Sequence, residues 1–179
     1  MTVSQQKLLK VFHVIASGLW LSCVIVLAAL PIISISTASG DEVYMYNHAY
    51  HFIDMSILIP ASIVTVSTGL CFSLFTKWGF VQHGWIIYKW IVTLFIVIAG
   101  TFYLGPMVTD LLEIANRERI EALQDPRYMQ SQAIGTYAAI INASLLVVAV
   151  VVSVYKPWKN LRPSAKNRSS NGTGTPQIP

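Results

Sequence analysis

Between Lys10 and Asp41 the chain carries no charged residue, and the pattern returns from Asp54 to Lys77, from Lys89 to Asp110 and from Arg127 to Lys156. The hydrocarbon core of a bilayer takes about 20 residues of helix, and each uncharged run reaches that length. None shows the period-two alternation of a barrel strand, and a lipid-facing segment must satisfy its own backbone, so the runs predict helices. Their apolar extents place spans at residues 8–35, 50–75, 85–108 and 135–155. The predicted class is an all-α bundle of four transmembrane helices within residues 1–158. Composition excludes a water-soluble domain. Of 179 residues, 54% are hydrophobic and 11% charged, against roughly 25% charged in ordinary globular proteins.

Charge sets the direction of the spans. Lys7, Lys10, Lys77, Lys89, Lys156, Lys159, Arg162, Lys166 and Arg168 gather at one end of such a bundle with no acidic residue among them. The other end has Arg117, Arg119 and Arg127 together with all the acidic residues. The positive-inside rule makes the first end cytoplasmic, giving an N-in, C-in, multi-pass protein of a cell membrane. The net charge of +4 is therefore topological, and no nucleic-acid partner is implied. Residues 159–179, rich in Pro, Ser, Asn and Gly, predict a disordered cytoplasmic tail. The first span is longer than a signal-peptide core of about 7–15 residues, which argues for a retained helix. Cys23 and Cys71 fall at different depths and predict free thiols.

Several features predict packing and backbone distortion. Pro60 should disturb the second span, and Gly100, Gly105 and Pro106 the third. The polar segment 117–132 continues the third helix beyond the bilayer and breaks near Pro126, with Glu113, Arg117 and Glu121 spaced for i,i+4 pairing. Ser62, Thr65, Ser67, Thr68 and Gly69 suit close helix contact, and Asn142 suits an interhelical hydrogen bond.

Ionisable groups inside a span are the first functional candidates. At the basic end these are His13 and Lys89, with His83 in the adjoining turn and Trp20 seven residues beyond His13. Lys89 has a second explanation as a snorkelling anchor beside Trp85 and Trp90. At the opposite end Met45, His48, His51, Asp54 and Met55 recur at helical spacing among Tyr44, Tyr46 and Tyr50. Imidazole and thioether suit copper, and imidazole with carboxylate suits zinc. An aromatic belt at the interface explains the same residues without a metal.

Two motifs carry a family resemblance. The segment from Lys10 through His13 to Trp20 resembles the Lys-x-x-His-(x)6-Trp opening of small prokaryotic membrane proteins, and Gly84-Trp85-Ile86-Ile87-Tyr88-Lys89 resembles the start of their third helix. The resembling groups are predicted integral membrane proteins of the domain-of-unknown-function type, with the related CopD-like copper-resistance and HemJ-like protoporphyrinogen oxidase families. The resemblance covers residues 7–155 and implies a prokaryotic inner (plasma) membrane. From HemJ-like proteins it implies haem b at His13, with Trp20 and Lys89 in the same site and Lys89 in the catalytic role. The chain differs from the HemJ pattern in having Leu21-Ser22-Cys23 after Trp20 and no histidine between Phe95 and Tyr103.

Three functions follow as expectations. The first is a haem-associated redox protein with His13 on iron, Lys89 near a tetrapyrrole carboxylate, and a tetrapyrrole or electron carrier as partner. The second is copper or other small-cation transport or sensing at Met45, His48, His51, Asp54 and Met55. The third is a non-catalytic assembly partner within the bilayer, homo-oligomers included. No nucleotide loop, nucleophile elbow or zinc signature is present.

Overall fold

The computed structural model describes residues 1–34, 37–76 and 79–158. Lys77 and the tail expected to be disordered, residues 159–179, lie outside the described residues. Six α-helices build four rods, with no strand among the described residues. α1 spans Val3–Ser34 and forms the first rod. α2 (Gly40–Ile53) runs through a π turn at Asp54–Leu58 into α3 (Ile59–Phe75). α4 (Gly84–Ala99) runs through a second π turn at Gly100–Leu104 into α5 (Gly105–Glu118), which tightens into a 3₁₀ turn at Arg119–Gln124. α6 (Pro126–Tyr155) is the fourth rod. All four rods contain helix long and apolar enough to cross a membrane.

Each proline distortion takes the form of a π turn just ahead of the ring. The Ile59 N–H reaches the Asp54 carbonyl and the Gly105 N–H reaches Gly100, one residue further back than in an α-helix. The wider turn makes room for Pro60 and Pro106, which have no N–H and would crowd the preceding turn.

Polar ends extend the helices beyond their apolar spans. α2 starts at Gly40, not near residue 50, because Ser39 accepts from the Glu42 N–H while the Glu42 carboxylate accepts from the Ser39 N–H, a capping box. α6 starts at Pro126, not near 135, with the Asp125 side chain accepting from the Arg127 N–H. α5 stops at Glu118 because Arg119 turns to φ 55°. That break removes Glu121 from helical register with Arg117, which pairs with Glu118 at 2.7 Å instead.

α1 packs along α3 and α6, α2 along α5, and α4 and α5 along α6. The rods thus succeed one another around the bundle, and α1 and α4 lie on a diagonal. The third rod, Gly84–Gln124, has 41 residues, roughly 60 Å at 1.5 Å each. That is about twice the hydrocarbon thickness, so the acidic end projects as a helical cap. The cap has its own core of Val43, Leu111, Ala115, Ala122 and Tyr128. A second core, formed by Trp20, Val24, Ala61, Val92, Ile96 and Leu146, joins all four rods across the middle. Along the spans the surface is apolar, with Phe12, Leu19, Ile63, Phe95, Phe102 and Val154 exposed as lipid-facing residues should be.

Candidate functional site

His13 continues the buried stripe of α1, preceding Ala16, Trp20, Val24 and Leu27 in steps of three and four. Lys89 continues that of α4, between Ile86 and Val92 with Ile96 beyond. Both side chains are half-buried, and the Lys89 charge is felt at His13. The His13 Nδ1 lies 2.8 Å from the Thr68 Oγ1. The Thr68 hydroxyl donates its own proton to the Val64 carbonyl at 2.7 Å, so its oxygen accepts from Nδ1–H. This relay suits the Nδ1–H tautomer, in which the lone pair lies on Nε2. Phe72 meets the imidazole edge-on at 5.8 Å.

The Lys89 Nζ stands 5.9 Å from the centre of the Trp85 ring, within cation–π range. Trp90 Nε1 donates to Ser73 Oγ at 3.3 Å and ties α4 to α3. His83 is the N-cap of α4, its ring stacked on Trp85 at 6.2 Å. Trp20 closes the site toward the bundle middle. It is 2% exposed, and its Nε1 is fully buried with no partner among the described residues.

The other hydroxyls of α3 mostly turn back on their own helix. Ser62 donates to Ile59 O and Thr65 to Ala61 O. Such bonding lets a hydroxyl lie in lipid without a partner helix. Asn142, expected to bond across helices, is buried but makes no side-chain hydrogen bond among the described residues.

At the cap end the five candidate ligands divide. Met45 and His48 are exposed, His48 lying tilted against Tyr44 at 5.7 Å. His51, Asp54 and Met55 are half-buried, and His51 couples electrostatically to Asp54. Among the described residues no three His, Cys, Asp or Glu side chains converge on a common point. Cys23 and Cys71 are free thiols.

The most enclosed polar contact was not among the sequence candidates. Asn47 Nδ2 donates to the Tyr128 hydroxyl at 2.7 Å and to the Val43 carbonyl at 2.8 Å. Tyr128 is 0% exposed. The partners are 81 residues apart, so no local spacing reveals them.

Comparison with family models, curated proteins and solved structures finds no match for the chain.

Proposed function

We propose that the chain is a haem-associated redox protein of a prokaryotic inner membrane, oriented N-in and C-in, with His13 as the iron ligand. The observation that carries this is the His13–Thr68–Val64 relay. Metal-binding imidazoles characteristically donate their second ring N–H to a fixed acceptor, which orients the ring and raises its basicity. One neutral imidazole is an adequate protein ligand for haem, and the surrounding pocket tunes the iron. The donor set fits. His13 offers Nε2, Phe72 an apolar wall, and Lys89 a cation for a propionate or substrate carboxylate. Trp20 would bound the site toward the middle of the membrane, since the layer around it is already filled.

Haem would supply one-electron iron chemistry at this position. The chain's own part is to orient the imidazole through Thr68, neutralise a carboxylate through Lys89 and exclude water through Trp20. The test is titration of the detergent-solubilised protein with haem, followed by oxidised and reduced absorption spectra. A saturable Soret band that shifts on reduction is expected. No band after haem supplementation contradicts the proposal. Orientation is checked by single cysteines at Asp41 and Ser169, which should label from opposite faces of sealed vesicles. Labelling of both from one face would contradict the N-in, C-in topology.

A further inference from the structure

Asp54 is half-buried where α2 passes into the π turn, and no hydrogen bond or ion pair holds its carboxylate among the described residues. Its position is functional by default, because an unpaired charge within a span is costly. Three elements pack against the π turn: α1, α2 and α3. Its charge is felt by the Cys23 thiol of α1 and by Tyr50 and His51 of α2. The first two turns of α3 bring no ionisable side chain.

Tyr50 precedes Asp54 by four residues, so the two lie one above the other on the helix. Tyr50 also lines a cavity of about 10 Å³ with Tyr46, Asn47, Met107, Gln132 and Thr136. That volume is close to the smallest that holds one water. The Asn47 Nδ2 and the Thr136 hydroxyl are already committed to Tyr128, Val43 and the Gln132 carbonyl, but the Tyr46 and Tyr50 oxygens and the Asn47 Oδ1 line the space and give such a water its partners. Gly135 opens the space, since a Cβ there would stand 3.3 Å from Met107 Cε and 3.9 Å from the Tyr50 hydroxyl.

We propose that Asp54 is a proton-binding site served from the cap end through a water held in this cavity. An O–H bond forms on the Asp54 carboxylate as one breaks on the relaying donor, which is reprotonated from the cap side, and no electron moves. A metal is disfavoured because Met45 and His48 are exposed and no cage of three ligands forms among the described residues. The filled layer of Trp20, Val24, Ala61, Val92, Ile96 and Leu146 separates this site from His13. The inference is therefore independent of haem binding.

Infrared spectroscopy of the full chain in detergent tests it. Wild type should show a protonated carboxyl C=O stretch that grows as pH is lowered, shifts down in D2O and is absent in Asp54→Asn. Should Asp54→Asn fail to fold, Asp54→Glu should move the same band instead. Gly135→Ala places a methyl in the cavity and should retain the band but slow its deuterium shift at least tenfold. No band assignable to Asp54, or a band whose exchange is unaffected by Gly135→Ala, overturns the proposal.

Discussion

At the cap end Tyr128 and Asn47 are enclosed and bond to one another at 2.7 Å. At the basic end His13 and Lys89 are half-buried, and above them Trp20 holds a buried N–H with no partner among the described residues. Both regions place polar groups inside the same bundle, but they do so for different reasons. In the cap, Asn47 and Tyr128 close a small core in which Ala115 and Ala122 are also 0% exposed. Removing Asn47 would strand the Tyr128 hydroxyl in that core, and removing Tyr128 would leave the Asn47 amide with the Val43 carbonyl alone; either loss appears as stability. At the basic end the polar groups are aimed and held but not saturated. His13 spends one ring nitrogen on Thr68 and keeps the other. A buried pair that satisfies itself stabilises a fold, whereas an oriented group with a spare lone pair is equipped to bind.

Substitutions that separate stability from binding test this contrast. The largest effect should be Tyr128→Ala, which empties a fully enclosed site and takes from the Asn47 amide its partner on α6. A loss of about 3–5 kcal/mol is expected, read as a fall in thermal midpoint in detergent, with haem binding by the surviving folded protein unchanged. Tyr128→Phe keeps the ring and should cost about 0.5–1.5 kcal/mol, because the Asn47 amide keeps its bond to the Val43 carbonyl. A neutral Tyr128→Ala would mean that the cap core does not hold the rods together.

Thr68→Val removes the acceptor for Nδ1–H while keeping the shape of the side chain. Haem affinity should fall by roughly 10–100-fold, the usual consequence of losing a partner behind a ligand. The thermal midpoint should move less than in Tyr128→Ala. Equal affinity in Thr68→Val and wild type would sever the relay from the function. The smallest effect on the fold belongs to Lys89→Met, which removes a charge whose insertion costs about 2.5–3.5 kcal/mol at a helix centre. Folded yield should hold or rise while tetrapyrrole affinity falls. Unchanged affinity would reduce Lys89 to an anchor over Trp85.

The two regions also differ in how far they could be seen in the sequence. Apolar runs marked the four membrane-crossing segments, since lipid demands long uncharged helix. The same criterion stopped short at the cap, where α2 and the start of α6 are polar and held by a capping box and an Asp-Pro start. Ser39-Gly40-Asp41-Glu42 carries the S-x-x-E signature of a helix start and was available as a signal. Gly40 owes its place to something less visible: a Cβ there would lie 2.6 Å from the Arg119 side chain, in a rod far along the chain. His13 stood out because an ionisable group in a span always does. Its partner Thr68, 55 residues away, looked like one small residue among several on the inner half of α3. Spacing along one helix shows which residues share a face, but which helix that face meets is decided by packing.

The most direct test of the account is the absorption spectrum of His13→Ala beside wild type and His83→Ala, each purified folded and titrated with haem. His13→Ala should lose the saturable Soret band because the Nε2 donor is gone, while His83→Ala, altered only at the α4 N-cap, should keep it. A full Soret band in His13→Ala, or its loss in His83→Ala alone, would contradict the assignment of His13 as the iron ligand.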